Sequence, residues 1–567
     1  MKTFSLSLLF GSLLYSCLNA VVYAAANRLQ PEKRQASGGR LVFAHFMIGI
    51  MSNRGSPSDY DYDMKLAKQY GIDAFALNIG VDPYTNAQLD LAYQSAANNG
   101  MKVFISFDFN WWNTGQAVQI GQLVANYGVR PAQLKVDGKT SSQMFKVFVS
   151  SFAGDGIDVA ALKYAATQSS AGMQVMFVPN FHPGQGDFNA IDGALNWLAW
   201  PNNGFNKAPD GRGNHSVLDG DHDYMNALKG KPYLAPVSPW FFTHFGPEVP
   251  YSKNWVFPSD LLWFERWEQL LSLGARWVEL VTWNDYFSGE SHYLGPLSST
   301  HTDDNASKWV NDKQAGATSV KSYITEDKIV YWYRHNKRNL NCDGTDTTLV
   351  AANNASGNYF MGRPYGWESM QDEVFVVALL TSAGTITINS GSNTKSYSAP
   401  QGATAYRVPM GIGQQSFALA RNGRNVLAGV SLRNIDEVCN CGIYNFNPYV
   451  GSLPDSFRDL LGPPGINSLA FGLHVNTCAP SPSWWTADFN FVQPASNDNP
   501  ANYFVANATT YYHNPTDEPA HYDNTHDDDT TANLIWVLYN HSVIANLPNE
   551  LPDARVRLVG SNRPSNA

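Results

Sequence analysis

Two carboxylates five residues apart stand out. The segment VTWNDYFSGESHY, residues 281–293, carries Asp285 and Glu290 on one stretch of chain, with Gly289 between them to permit a sharp turn. Such a pair can divide acid–base work. One carboxyl stays protonated and donates to a leaving oxygen, while the other stays ionised and draws a proton from water. Burial beside Trp283 would raise one pKa, and nearby amides would keep the other low. Spacing alone equally allows a helix cap or a rim salt bridge.

Other chemistry-bearing residues fall at the ends of apolar runs. KVFISFD ends in Asp108 and is followed by Asn110, Trp111 and Trp112. MQVMFVPNF leads to Asn180 and His182, and KPYLAPVSPWFF to Trp240 and His244. RWVELVTWND ends in Trp283, Asn284 and Asp285, with His292 beyond. If those runs are parallel strands, carboxylates, amides, imidazoles and indoles converge on one rim. That is a kit for glycoside hydrolysis: two carboxyls for acid and base, indoles for sugar faces, polar groups for hydroxyls. Each residue also has a plainer reading. Asp108 could brace the rim, the histidines could be satisfied by backbone, and one of Trp111 and Trp112 could belong to the core. The acidic run 527–529 reads as calcium ligands or as solvated surface.

The elements that would position this rim are legible as alternation. Near-continuous apolar runs at Arg40–Ile50, Asp73–Gly80, the stretch ending at Asp108, Phe145–Phe152, Met173–Phe181, Ala194–Trp200, Lys231–Phe242 and Arg276–Asp285 read as strands. Amphipathic stretches lie between most of them, several closed by glycine. Eight such units predict an α/β fold, a closed (β/α)₈ TIM-type barrel over residues 40–338, with active-site residues at the C-terminal strand ends. A doubly wound open sheet is the alternative, but no G-x-G-x-x-G follows the first strand. Short strands with turn signals then predict a C-terminal β-sandwich over 339–453. Residues 454–567 form an extension of unassigned role.

Composition narrows the function classes. The 567 residues carry 38 basic and 48 acidic side chains, net charge −10, which excludes the basic stripe of a nucleic-acid binder and suits a neutral substrate. Aromatics reach 13%, and rings with an apolar face and a polar tip suit sugars. Lys2 and the apolar stretch after it read as a secretory signal over 1–25, followed by a short pro-segment over 26–39 holding Lys33-Arg34. No other run is long enough to span a membrane. Cys342, Cys439, Cys441 and Cys478 imply two disulfides of open pairing in an exported chain. N-x-S/T acceptors stand at Asn214, Asn305, Asn354, Asn507 and Asn540.

At these residues the chain resembles glycoside hydrolase family 71, the fungal α-1,3-glucanases or mutanases. The resemblance rests on ordered blocks: VFAHFMIG, YDYDMKLAKQYGIDAFALNIG, KVFISFD, FVPNF, DGALNWLAW, YLAPVSPWFFTHF, VTWNDY with GESHYLGP, KIVYWYRHNK and CNCGIYNFNPY. It spans roughly residues 40–449. It implies inverting, endo-type hydrolysis of α-1,3-glucan, no metal or organic cofactor, and a barrel followed by a sandwich. The family motif W-N-D-Y-G-E-S-H-Y maps onto Trp283, Asn284, Asp285, Tyr286, Gly289, Glu290, Ser291, His292 and Tyr293. Phe287 and Ser288 stand as an insertion that lengthens the loop. Asp285 and Glu290 are then the catalytic pair, with either as the acid. The expected enzyme is a monomer outside the cell or in its wall. The competing readings are a non-catalytic glucan-binding wall protein and a glycosidase of another linkage.

Overall fold

The computed structural model describes residues 40–52, 54–136, 145–170, 172–204, 207–209, 214–245, 253–284, 321, 324–345, 363–431, 433–439, 444–454, 536–539 and 542–545. The chain divides into two units, 1–488 and 489–567. In the second, Trp536–Tyr539 pairs antiparallel with Ser542–Ala545. The elements below belong to the first.

In chain order the strands of the main sheet are β1 (Leu41–Met47), β2 (Ala74–Ile79), β3 (Lys102–Asp108), β4 (Lys135–Val136), β5 (Lys146–Phe152), β6 (Gln174–Pro179), β7 (Ala194–Leu195), β8 (Tyr233–Val237) and β11 (Trp277–Leu280). Between β8 and β11 a separate antiparallel hairpin, β9 (Phe242–Phe245) and β10 (Lys253–Val256), lies off this sheet. Eight strands run parallel in the order β6-β5-β3-β2-β1-β11-β8-β7, and β4 joins β5 antiparallel. Helices α1 (Asp61–Gln69), α2 (Thr85–Asn99), α3 (Ala117–Gly128), α4 (Val159–Ser169), α5 (Val217–Leu228) and α6 (Leu262–Leu273) fall between strands. The glycines that close α2 and α6, Gly100 at φ +63 and Gly274 at φ +75, take the left-handed turn that residues with a Cβ resist. The sequence reading assigned no element to α5, which opens on a Ser216–Asp219 capping box.

The strands are largely apolar because both faces are covered. In β1, Val42, Ala44 and Phe46 join the outer core, whereas Phe43 joins Phe104, Phe148 and Trp277 in an inner core. Those four rings pack edge-to-face at centroid distances of 4.7–5.3 Å. One buried ion pair ties the helical layer to the sheet. Arg266 of α6 grips Asp221 of α5 through two N–H donors at 2.5 and 2.8 Å, and donates Nε–H to Pro236 O at 2.8 Å. The Tyr233 hydroxyl donates to the same carboxylate.

The eight parallel strands are present, but the expected closed barrel is not. No ladder joins β6 to β7, so the sheet is a curled, open half-barrel. The reason lies in the two edges. β7 is only two residues long. The Asp192 carboxylate accepts the Phe177 N–H at 2.9 Å, occupying a donor that a partner strand would need. Asn180 Nδ2 donates to Leu195 O at 3.0 Å, occupying an acceptor on the other edge. Pro179 has no N–H to offer. Side chains thus satisfy the seam in place of a ladder.

Two separate antiparallel sheets follow. β12 (Lys328–Arg334), β13 (Glu373–Leu380), β16 (Gly402–Pro409) and β19 (Pro448–Leu453) order as β16-β13-β12-β19. β14 (Gly384–Ser390), β15 (Asn393–Ala399), β17 (Gln415–Arg421) and β18 (Arg424–Val430) order as β15-β14-β17-β18. Every residue of β12 is buried, since its two faces serve two cores. Val330 and Trp332 pack with the half-barrel's outer core, while Ile329, Tyr331 and Tyr333 pack toward the second sheet. Cys342 is bridged to Cys439 with Cα atoms 5.8 Å apart. Cys441 and Cys478 lie outside the described residues. Among the described residues no helix is long and apolar enough to cross a membrane.

Candidate active site

The inner face of the half-barrel changes character along the strands. Below lie Phe43, Ala76, Phe104, Phe148, Met176, Leu234 and Trp277. Two residues further along β1, β2, β3, β5 and β11, on the same face, stand His45, Asn78, Ser106, Ser150 and Glu279, all buried, and Ser238 just past β8 is buried too. Asp108 and Asn180 follow nearer the C-terminal ends and are also buried. An apolar floor therefore carries a polar layer that opens on the loops.

Each expected site residue has a defined place or lies beyond the described chain. Asp108 Oδ1 accepts the Asn110 N–H at 2.9 Å, and its carbonyl accepts the N–H groups of Trp111 and Trp112. This turn separates the two indoles. Trp112 donates its Nε1–H to Ile79 O and Gly80 O at 3.1 Å and packs on Phe107. Trp111 is 63% exposed and lies over Gly80, where a Cβ would stand 3.2 Å from the ring. Asn180 bonds Leu195 O and the Tyr224 hydroxyl. Burial pushes that phenol well above its usual pKa. Asp155 orients His182, accepting its backbone N–H at 2.7 Å and lying 2.8 Å from Nδ1.

Trp283 and Asn284 are used by the fold. Trp283 is buried in the outer core, donates Nε1–H to Asp63 at 3.0 Å and meets Phe75 edge-to-face at 5.1 Å. Its backbone N–H donates to His45 O at 2.7 Å. Asn284 accepts the Met47 N–H at 2.6 Å and donates to Met47 O at 3.2 Å, prolonging the β1 pairing by one side chain. These bonds fix where the chain leaves β11. Asp285, Glu290 and His292, just beyond, lie outside the described residues. His244 sits in β9 opposite Asn254.

Trp240 lines a different cleft, between the half-barrel and the antiparallel sheet, with Ser259, Asp260, Trp332, Arg334 and Phe375. Burial pushes the Asp260 carboxyl up to about 6, against the opposing pull of the Gln371 N–H and the Arg334 charge. Of the glycosylation acceptors, Asn214 is exposed, and Asn305, Asn354, Asn507 and Asn540 lie outside the described residues. Among the described residues no three His, Cys, Asp or Glu side chains cluster as metal ligands.

The sequence reading passed over His45 and Glu279. Both are fully buried, and His45 Nδ1 lies 2.7 Å from Glu279 Oε1. Neither His45 Nε2 nor Glu279 Oε2 has a hydrogen-bond partner. An unmatched buried polar atom costs about 1–3 kcal/mol. A visible signal existed: one polar residue at an inward position of each of two apolar strands, AHFM and WVEL.

The sequence profile of Glycosyl hydrolase family 71 matches residues 38–461. The chain belongs to that family. A mutanase of Penicillium rubens is 38% identical to it over 453 residues, covering 75% of this chain and 92% of that protein. A glucan endo-1,3-alpha-glucosidase of Schizosaccharomyces pombe is 33% identical, over 73% of this chain and 95% of that one. An ascus wall endo-1,3-alpha-glucanase of the same organism is 26% identical, over 72% and 96%. In this family 71 chain the match takes in the whole half-barrel and both antiparallel sheets, and nearly all of each relative is represented.

Proposed function

We propose that this family 71 chain is a secreted endo-hydrolase of α-1,3-glucosidic bonds in fungal wall glucan, working as a monomer. The observation that carries the reading is the 38% identity to a mutanase across nearly the whole of that relative. The polar layer above an apolar floor supports it chemically, as does a negative chain suited to a neutral polymer. In this reading Asp285 and Glu290 are the acid–base pair, one protonating the glycosidic oxygen and the other activating water on the opposite face of the sugar. Residues 40–338 carry the reaction and 339–453 are accessory. Asp108, Trp111, Asn180, His182 and His292 line the sugar path.

The test uses purified full-length protein and α-1,3-glucan. Proton NMR of the first products should show β-configured reducing ends, the mark of inversion. Either Asp285→Asn or Glu290→Gln should lower kcat by about 10²–10⁴-fold or more. Azide should restore turnover only in the variant that has lost the base. Absence of soluble products from α-1,3-glucan would refute the substrate. Near-normal turnover by both variants would move the chemistry to other carboxyls.

A further inference from the structure

Just past β7, Trp197 spans the interior of the half-barrel. Its ring meets His45 of β1 at a centroid distance of 4.7 Å and an interplanar angle of 79°. It also meets Phe152 at the end of β5, at 4.9 Å and 70°. Trp197 packs on the inner core but is itself only partly buried. It therefore lies against the apolar floor at the level of Phe152, the ladder partner of Asp108. An indole clamped edge-to-face by two neighbours keeps one orientation without losing rotamer freedom when a ligand arrives.

His45 can hold that ring only if its own orientation is fixed, and Glu279 fixes it through the 2.7 Å contact with Nδ1. The remaining polar atoms of the pair, His45 Nε2 and Glu279 Oε2, are buried without hydrogen bonds. They are closed to substrate, so the pair acts through what it touches. We propose that Trp197 is a sugar-stacking residue at the base of the active site and that the buried His45–Glu279 pair is its positioning device. The inference rests on the α-1,3-glucanase reading. The ligand is a glucosyl unit presenting its C–H face.

The experiment compares wild type, Trp197→Phe, Glu279→Gln and the double variant on soluble α-1,3-linked gluco-oligosaccharides, with a melting curve for each. Glu279→Gln keeps shape and retains an oxygen facing His45. Trp197→Phe should lower kcat/KM about tenfold, the value of one good aromatic contact, mainly through KM. Glu279→Gln should produce a KM change of the same sense. The double variant should be little worse than Trp197→Phe alone, since both act on one contact. A Glu279→Gln protein that melts lower but keeps wild-type KM would reduce the pair to a structural role and overturn the proposal, as would fully additive effects. An inactive wild-type chain would instead refute the function on which the proposal stands.

Discussion

Removing the charge of Asp260 should stabilise this protein at neutral pH and leave it unchanged in acid. Asp260 sits where the half-barrel meets the antiparallel sheet. Its carbonyl accepts the Trp332 indole N–H at 2.7 Å, and its Oδ1 accepts the Gln371 N–H at 3.2 Å. Burial lifts its pKa from 3.8 to about 6, and the Glu373 charge adds to the lift. The folded carboxyl thus holds its proton more tightly than the unfolded chain does. That advantage to the folded state is present at low pH and is lost as pH rises from about 4 through about 6. The difference amounts to about 3 kcal/mol as an upper limit, and partial solvent access reduces it to roughly 1–2 kcal/mol. Asp260→Asn keeps the acceptor for Gln371 and drops the charge. Urea midpoints at pH 4, 5, 6 and 7 should coincide for the two proteins at pH 4 and separate progressively, the variant being more stable by that amount at pH 7. A constant gap across pH, or a variant less stable at pH 7, would show that the Arg334 charge outweighs burial.

Two further expectations concern the framework. Asp221→Ala should cost about 3–5 kcal/mol, because it leaves the Arg266 guanidinium buried without its carboxylate; Asp221→Ala with Arg266→Met should recover much of that in the same urea assay. Cys342→Ser should lower stability by roughly 2–5 kcal/mol, since the bridge closes a separation of 97 residues. Non-reducing peptide mapping should recover Cys342 joined to Cys439, and any other partner for Cys342 would contradict the fold.

Local pattern determined much of this protein. Strands covered on both faces are largely apolar, so the eight parallel strands were readable, as were the left-handed glycines that end α2 and α6. Ordered motif blocks identified the family, and with it the Asp285–Glu290 pair as the expected chemistry. The missed helix α5 begins on a capping box, a local signal, but its buried stripe of Val217, Asp221, Tyr224 and Leu228 carries a charged residue where an apolar one is expected. Only tertiary structure could decide sheet closure, because it depends on how the connection between β6 and β7 folds to bring Asp192 and Asn180 onto edge backbone groups 15 residues away. The same limit explains the indoles. Trp283 looked like a sugar platform beside the motif carboxylates, yet its contacts are Asp63 and Phe75 in the outer core. Trp197 lay inside an apolar run read only as a strand, yet it packs on the inner core. A residue type announces what a side chain can do, whereas the face it occupies follows from strand register and from partners that the chain brings together only on folding.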